Sequence, residues 1–259
     1  MSKSPAAERP RWQIRGGEPT AISYSAPLGS WDEAVARAAG YDAPQVLARV
    51  RAAALKVRNG EAVYECDGLA HDVLRLRWAL NAALLRAFVS RARDRAVPFH
   101  VLDFGGSLAS VYFQNRPMLA CIPALLWSVV ELPAVVACGN AEFADSRLHF
   151  YTSMAEAAAR APVDVALFSG SLEYTGAPYA LIDEAASFAP SHIVLDTLHL
   201  SESGRDEFRL QTVTEPYYPA TLAVRFFAPE KLKAHLSRLG YNLIATLPTE
   251  GFVWERQQA

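Results

Sequence analysis

The chain has 259 residues, of which 51% are apolar and 20% charged, and its formal net charge at pH 7 is -2. A chain of this length can bury a substantial core, and its composition excludes a disordered chain and a broad electrostatic surface for nucleic acid. We therefore expect a small-molecule ligand and no nucleic-acid partner. The three cysteines, Cys66, Cys121 and Cys138, lack CxxC spacing, which favours reduced thiols over a disulfide framework or a metal site.

The first segment, residues 1–29, contains four prolines and a Gly16-Gly17 pair without hydrophobic periodicity, which predicts a flexible arm. It has no apolar signal core. The longest apolar run, residues 118–130, contains Pro123 and is too short to cross a bilayer. We expect a cytoplasmic protein without a membrane partner.

Residues 30–97 read as a helical cap. Ser30 and Glu33 form a capping-box signature for a first helix that stops at Gly40. A second helix follows Asp42 and ends at Asn59-Gly60, and a third covers residues 72–95. The polar patch between the last two helices is either a lid over a ligand or a solvated loop, and it consists of Glu61, Tyr64, Glu65 and Asp67.

Residues 98–259 alternate strands with helices, which is typical of a parallel sheet covered on both faces. The predicted strands are 99–104, 126–131, 147–151, 164–169 and 192–196, and the predicted helices lie near 108–120, 133–139, 154–160, 177–188 and 229–239. Three further strands are expected at 223–227, 242–246 and 251–256, and the last two can pair as a hairpin. The pattern predicts an α/β, doubly wound, mostly parallel sheet that ends in an antiparallel hairpin.

Polar and small residues follow the first two strands of this sheet. Asp103 precedes Gly105, Gly106 and Ser107, and Glu131 ends the next strand. A strand, a glycine turn and a helix make a candidate nucleotide site, because glycine allows close approach to the backbone. The 28 residues from Asp103 to Glu131 exceed the spacing of a dinucleotide fingerprint, which disfavours a nicotinamide cofactor.

This set of strand ends resembles the S-adenosylmethionine site of class I methyltransferases, which have a Rossmann-like fold. The resemblance implies that the glycine turn passes under the methionine part of this cosubstrate and that Glu131 binds both ribose hydroxyls. It also implies that the end of the fourth strand faces the reacting centre. The cofactor-binding residues expected on this basis are Asp103, Gly105, Gly106, Ser107, Glu131, Ser153, Ser169 and Tyr64.

A closer resemblance covers nearly the whole chain beyond residue 30. The segments that carry it are WDEAVARAAGYD, NGEAVYECDG, VLDFGGSLASVYFQNR, WSVVELPAVVACG, FSGSLEYTGAP and IVLDTLHL. They are similar to a family of bacterial methyltransferase-like proteins found with polysaccharide or natural-product biosynthesis genes, which resembles the azetidine-2-carboxylate synthases. The chain departs from the family pattern at Asn140, where a basic residue is common, and at residues 197–199, where the family tends to continue the motif DRTP.

The expected catalytic residues are Tyr174, Asn140, Ser201 and His199, which lie on loops that could converge. Tyr174 could contact the sulfonium by a cation-π interaction or be a packed aromatic, and His199 could be a base or a surface histidine. Tyr217 and Tyr218 either line an acceptor pocket or cover the sheet. Three functions stay open: methyl transfer to a small biosynthetic intermediate, cyclisation of the cosubstrate to azetidine-2-carboxylate with loss of methylthioadenosine, and cofactor binding without catalysis. The sequence also leaves open whether the chain forms a homodimer.

Overall fold

The computed structural model describes residues 21–40, 44–91 and 97–257. Its centre is a seven-stranded sheet in the order β11-β12-β8-β7-β4-β5-β6. The strands are β4 (Phe99–Phe104), β5 (Leu125–Val130), β6 (Leu148–Tyr151), β7 (Val165–Ser169), β8 (His192–Asp196), β11 (Tyr241–Leu247) and β12 (Gly251–Arg256). Strands β4 to β8 are parallel, whereas β12 runs antiparallel to β8 and pairs with β11 as a hairpin. This arrangement confirms the predicted Rossmann-like α/β fold.

Two hydrophobic cores cover the two faces of this sheet. Side chains alternate along a strand, so the neighbours Val101 and Leu102 on β4 belong to different cores. The first core contains residues of α2 (Pro44–Arg58), α3 (Trp78–Ser90), α4 (Ser110–Leu119) and α5 (Pro133–Glu142). The second contains residues of α6 (Met154–Ala158), α7 (Pro178–Ser187) and α8 (Pro229–Arg238). The doubly wound arrangement follows from strands that are apolar on both faces.

The cap differs from the predicted all-helical segment. Its first helix, α1 (Trp31–Arg37), begins as expected, with the Ser30 hydroxyl accepting from the Glu33 N–H at 3.1 Å. The predicted polar patch instead contains a hairpin of β2 (Tyr64–Cys66) and β3 (Leu69–His71). The third helix starts six residues later than predicted, at Trp78, and the predicted residues 92–95 lie outside the described residues.

A separate three-stranded sheet consists of β1 (Ile22–Tyr24), β9 (Glu207–Val213) and β10 (Ala220–Phe226), in the order β1-β9-β10. The prediction of a flexible arm is therefore wrong for residues 22–24, which pair with residues 211–213. The predicted strand 223–227 exists but belongs to this second sheet. Residues 1–20 of the predicted arm lie outside the described residues.

Over the part of the chain that the structure describes, no helix is both long and apolar enough to cross a membrane.

Candidate functional site

The main sheet has a topological switch point beside β4. From β4 the chain continues to β5 and β6, which lie on one side of β4 in the strand order. It then returns, and β7 lies on the other side of β4. Open α/β sheets bind ligands at this point, outside the carboxyl ends of the strands, because the loops that follow the two strands diverge there. The glycine turn after β4 and the loop after β7 therefore flank the expected ligand crevice.

The glycine turn adopts backbone angles that favour glycine. Gly105 has φ 70°, and Ser107 and Ala109 also have positive φ values, of 55° and 65°. A Cβ at Gly105 would lie 2.4 Å from the Cβ of Ser171, and one at Gly106 would lie 2.5 Å from Oδ2 of Asp103. Glycine is thus required at both positions because the turn packs closely on the loop after β7 and on the end of β4. The sequence did not predict these contacts.

Asp103 is fully buried beneath this turn. Its Oδ2 accepts from the indole N–H of Trp127 at 3.0 Å, whereas Oδ1 has no hydrogen-bond partner. Burial raises the pKa of Asp103 to about 7, against the smaller opposing effect of the Trp127 hydrogen bond. The end of β4 therefore holds a carboxyl group with a spare buried acceptor atom.

Glu131 follows β5 and faces the same turn. Its Oε1 accepts from the backbone N–H of Ser107 at 3.0 Å, and its Oε2 accepts from the N–H of Leu132 at 2.8 Å. Burial raises the pKa of Glu131, although both backbone hydrogen bonds lower it. A carboxylate has about four lone-pair sites, so these two bonds orient Glu131 and leave acceptor capacity for a ligand with hydroxyl groups.

Arg77, which precedes α3, connects the cap to the ends of β7 and β8. Its guanidinium donates to Ser169 Oγ at 2.9 Å, to Thr197 Oγ1 at 2.6 Å and to the buried carboxylate of Asp196. The sequence offered no signal for Arg77, because its partners lie about 90 to 120 residues further along the chain. The predicted cofactor residue Ser169 is thereby engaged with the cap.

The β2–β3 hairpin lies beside the start of α4, immediately after the glycine turn. Glu65 accepts from the hydroxyl of Ser110 and from the N–H of Gly68, the latter at 2.8 Å. Burial raises the pKa of Glu65 to about 7. Tyr64 is 4% exposed and stacks on His71, with 4.6 Å between the ring centroids, so it has little surface left for its predicted contact with a cofactor.

A small cavity lies between the hairpin turn, the loop after β7 and the three-stranded sheet. Its volume is about 40 Å³, and it is lined by Ile22, Asp67, Tyr174, Gln211, Val213, Tyr217 and Tyr218. Tyr217 and Tyr218 thus line a cavity, and its role as an acceptor pocket stays a prediction. The Asp67 residue is exposed to solvent in this concave site, and partial desolvation raises the pKa of its carboxyl group. The lining combines three aromatic rings with one carboxyl group.

Contacts connect this cavity to the glycine turn by two routes. Tyr174 lies in the short 3-10 turn Leu172–Tyr174, directly after Ser171, whose side chain packs against Gly105. Asp67 lies two residues after Glu65, which is bonded to Ser110 at the start of α4. Tyr174 and Asp67 of the cavity are thus each within three residues of a side chain that contacts the glycine turn or the start of α4.

His199 lies close to Tyr174, with 6.4 Å between the ring centroids. Its Nδ1 is 3.2 Å from Oε1 of the fully buried Glu173, and its Nε2 is 2.6 Å from the hydroxyl of Tyr24. The histidine is therefore held in a network and is only partly exposed. Glu173 and Tyr24 were not predicted as site residues.

Two predicted catalytic residues lie elsewhere. The amide of Asn140 donates to the backbone oxygen of Phe150 on β6 at 3.0 Å, and Ser201, beyond β8, bonds to Ser203 at 2.8 Å and to Glu207 at 3.1 Å. Strands β6 and β8 are four positions apart in the sheet, roughly 19 Å at about 4.8 Å a strand. The prediction that Asn140, Tyr174 and Ser201 converge is therefore wrong. The structure brings together Tyr174 and His199 instead.

Ser153, predicted to bind the cofactor, is the N-cap of α6. Its Oγ accepts from the N–H of Glu156 at 3.2 Å. The motif SMAE carries this capping signal in the sequence, which is a structural reason for the serine. Its contact with a ligand stays a prediction.

Comparison with known proteins gives matches only among solved structures: no protein family and no curated protein matches the chain. The chain is similar in structure to human N-acetylserotonin methyltransferase, solved with S-adenosylmethionine, at 13% identity and a TM-score of 0.43. That alignment covers 69% of this chain and 52% of that chain. It is similar to CalS10, an amino pentose methyltransferase from Micromonospora echinaspora involved in calicheamicin biosynthesis, at 15% identity, covering 70% of this chain and 90% of that one, with a TM-score of 0.47. It is also similar to the [4+2]-cyclase SpnF, at 17% identity and a TM-score of 0.44, covering 76% and 71% of the two chains. The chain thus spans about half the length of the human enzyme.

Proposed function

We propose that this chain is an S-adenosylmethionine-dependent enzyme of the class I methyltransferase type that acts on a small molecule. One observation carries the proposal: the glycine turn after β4 and the Glu131 carboxylate meet at the switch point of the sheet, through the 3.0 Å bond from Ser107 N–H. Glu131 would hold the ribose hydroxyls, and the turn at residues 105–107 would lie under the methionine part.

The residues present suit this cosubstrate chemically. It carries hydroxyl donors, an ammonium group and a sulfonium cation. The site offers acceptor capacity on Glu131 and the tyrosine rings of the cavity, whose faces attract cations. When bound, it supplies a carbon activated for displacement by the neighbouring sulfonium. The protein then has to position the nucleophile, and good positioning can lower the activation barrier by about 7–11 kcal/mol.

The reaction we rank first is methyl transfer to a small acceptor of natural-product or polysaccharide biosynthesis. The acceptor would enter the cavity beside Tyr174, and His199 would lie close to its reacting group. The second candidate, cyclisation of the cosubstrate to azetidine-2-carboxylate, is favoured by one observation. A cavity of about 40 Å³ has room for only a few water molecules, so a second substrate requires the hairpin to move, whereas an internal nucleophile does not.

Incubation of the purified protein with S-adenosylmethionine alone, followed by separation of the nucleoside products, tests both reactions. Methyl transfer predicts S-adenosylhomocysteine only after an acceptor is supplied. Cyclisation predicts methylthioadenosine and a cyclic amino acid from the cosubstrate alone. The variant Glu131→Ala under the same conditions gives the background that does not depend on the site.

Calorimetry of S-adenosylmethionine binding separates the remaining cases. Binding without turnover, with and without acceptors, would support the third function, a cofactor-binding module. Absence of binding to the unaltered protein would remove the whole proposal.

A further inference from the structure

Four hydrogen bonds join the cavity to a buried carboxylate in one continuous chain. Tyr174 O–H donates to Gln211 Oε1 at 2.9 Å, and Gln211 Nε2 donates to Tyr24 Oη at 3.3 Å. Tyr24 is 2.6 Å from His199 Nε2, and His199 Nδ1 is 3.2 Å from Glu173 Oε1. These bonds cross from the three-stranded sheet to the loops after β7 and β8.

We assign the direction of every bond with Glu173 as a carboxylate. A carboxylate only accepts, which assigns the proton of His199 to Nδ1 and makes Nε2 an acceptor. Tyr24 has one proton, which it gives to Nε2, and its oxygen therefore accepts from the amide of Gln211. Burial raises the pKa of Tyr24 to about 12, which keeps its hydroxyl protonated as a donor.

Strand pairing places Tyr24 beside the cavity. Side chains two residues apart share a face of a strand, so Tyr24 lies on the same face as Ile22, a cavity residue. In the register of β1 with β9, Tyr24 is opposite Gln211 and Ile22 is opposite Val213, and both partners line the cavity. Tyr24 is thus bonded both to Gln211, which lines the cavity, and to His199.

We propose that Tyr24 and His199 accept the proton of the attacking nucleophile, and that Glu173 and Gln211 are the positioning residues that hold them. The proposal rests on the proposed function. As the nucleophile bonds to the carbon next to the sulfonium, the carbon–sulfur bond breaks and its electron pair stays on sulfur. The proton of the nucleophile passes to Tyr24 Oη while the proton of Tyr24 passes to His199 Nε2. The imidazolium that results is paired with Glu173. The substrate class is therefore a nucleophile that carries a proton, an O–H or N–H group, rather than a thioether or a tertiary amine.

Three variants test this assignment. Tyr24→Phe removes the hydroxyl, His199→Gln removes the imidazole ring, and Glu173→Gln removes the negative charge. Turnover is the sum of methylthioadenosine and S-adenosylhomocysteine formed, so it covers both candidate reactions. We expect turnover to fall on the order of 100-fold in His199→Gln and at least about tenfold in the other two, with unchanged affinity for S-adenosylmethionine in calorimetry. Turnover in all three variants equal to that of the unaltered protein would overturn this proposal. It would not contradict the proposed binding of S-adenosylmethionine.

Two matched controls lie outside this chain of hydrogen bonds. The hydroxyl of Tyr179 bonds to Asp206, and His235 bonds to Asp183 at 2.7 Å. Tyr179→Phe and His235→Gln remove the same groups, and we expect turnover to be unchanged. A comparable loss in these controls would show that the effect of the test variants is structural.

Nuclear magnetic resonance gives a readout that does not depend on activity. In protein labelled with ¹⁵N-histidine, two-bond correlations report which ring nitrogen carries the proton, and loss of a signal in His199→Gln assigns it. We expect the Nδ1–H tautomer for His199. The Nε2–H tautomer would overturn the proposed direction of proton transfer whether or not the protein binds S-adenosylmethionine.

Discussion

The two ends of the parallel strands use buried polar groups differently. At the amino ends, buried polar groups join parts of the main sheet to one another: His100 Nδ1 bonds to the oxygen of Ala161 at 2.9 Å, His100 Nε2 bonds to Ser128 Oγ at 2.8 Å, and Asp164 Oδ2 accepts from the N–H of His100 at 3.0 Å. At the carboxyl ends, they bond to the cap and to the glycine turn, as in Arg77 to Asp196 and Ser107 N–H to Glu131. The first set fixes where strands start, whereas the second holds the cap and the turns around a crevice.

Unpaired carboxylate oxygens also distinguish the two ends. Among the described residues, the buried carboxylate oxygens that lack a hydrogen-bond donor are Asp103 Oδ1 and Glu173 Oε2, and both belong to the carboxyl end. Leaving a buried acceptor unpaired costs about 1–3 kcal/mol, so such atoms are uncommon unless something else pairs with them. Both unpaired oxygens belong to fully buried side chains, so this cost is a property of the folded carboxyl end.

The largest expected difference between the two ends is the loss of protein stability when an ion pair is broken. Arg77→Met would leave the buried carboxylate of Asp196 without its cation, and we expect a loss of about 3–5 kcal/mol in the free energy of unfolding. The control is Arg86→Met, whose partner Glu255 lies at the amino end of the sheet. Both side chains of that pair are well exposed, at 53% and 32%, so its loss should cost about 0–1 kcal/mol. Urea unfolding measures both, and equal losses would contradict the comparison.

The buried carboxyl of Asp103 predicts a dependence of stability on pH. Its pKa is about 7 in the folded protein and about 3.9 in an unfolded chain. Between these values the folded state keeps a proton that the unfolded chain releases, so the free energy of unfolding falls as pH rises from 4 to 7. The slope is at most about 1.4 kcal/mol per pH unit.

The variant Asp103→Asn has no such titration and serves as the reference. The difference in unfolding free energy between the unaltered protein and this variant should decline from pH 4 to pH 7 and be flat above pH 8. A difference that stays constant with pH would show that Asp103 is ionised throughout.

Carboxylates at the two ends of the sheet should affect different properties: Glu131 should affect ligand binding, and Asp164 should affect stability. Glu131→Gln removes a charged acceptor from the crevice, and we expect the Kd for S-adenosylmethionine to rise by a factor of about 10 to 100, the equivalent of about 1.5–3 kcal/mol. Asp164→Asn should lower the free energy of unfolding by about 1–3 kcal/mol and leave that Kd unchanged. Calorimetry measures the Kd and urea unfolding measures the stability of both variants. A Kd in Glu131→Gln equal to that of the unaltered protein would remove the assignment of Glu131 to the ribose.

The smallest expected effect concerns the hairpin at residues 64–71. Because Glu65 is bonded to Ser110 beside the glycine turn, a ligand in the crevice should slow local opening of the hairpin. Hydrogen exchange with and without S-adenosylmethionine should show slower exchange there and no change at residues 97–100, at the amino end of β4. Protection of the glycine turn alone would contradict a lid role for the hairpin.

The hairpin also shows what sequence patterns can miss. The pair Asp67-Gly68 has positive φ values of 50° and 76°, as a two-residue hairpin turn requires, and the Asp-Gly sequence is a known signal for it. Its strands have only three residues each, which is too short for an alternating pattern to be recognised. β9 was missed as well, although its sequence EFRLQTV alternates the polar Glu207, Arg209 and Gln211 with Phe208 and Leu210, the period-2 pattern of a strand.

The sequence alone determined the order and type of the elements of the main sheet, and the position of Glu131 at a strand end. Apolar runs and glycine turns are local properties, and in a parallel sheet they also fix which loops share the carboxyl end. Only the tertiary structure decided which polar side chains meet there. Tyr24 and His199 are 175 residues apart and Arg77 and Asp196 are 119 apart, and the register of a second sheet and the docking of the cap bring them into contact. Side-chain pairing over such separations leaves no periodic trace in the sequence, because each partner satisfies only its own local backbone preferences.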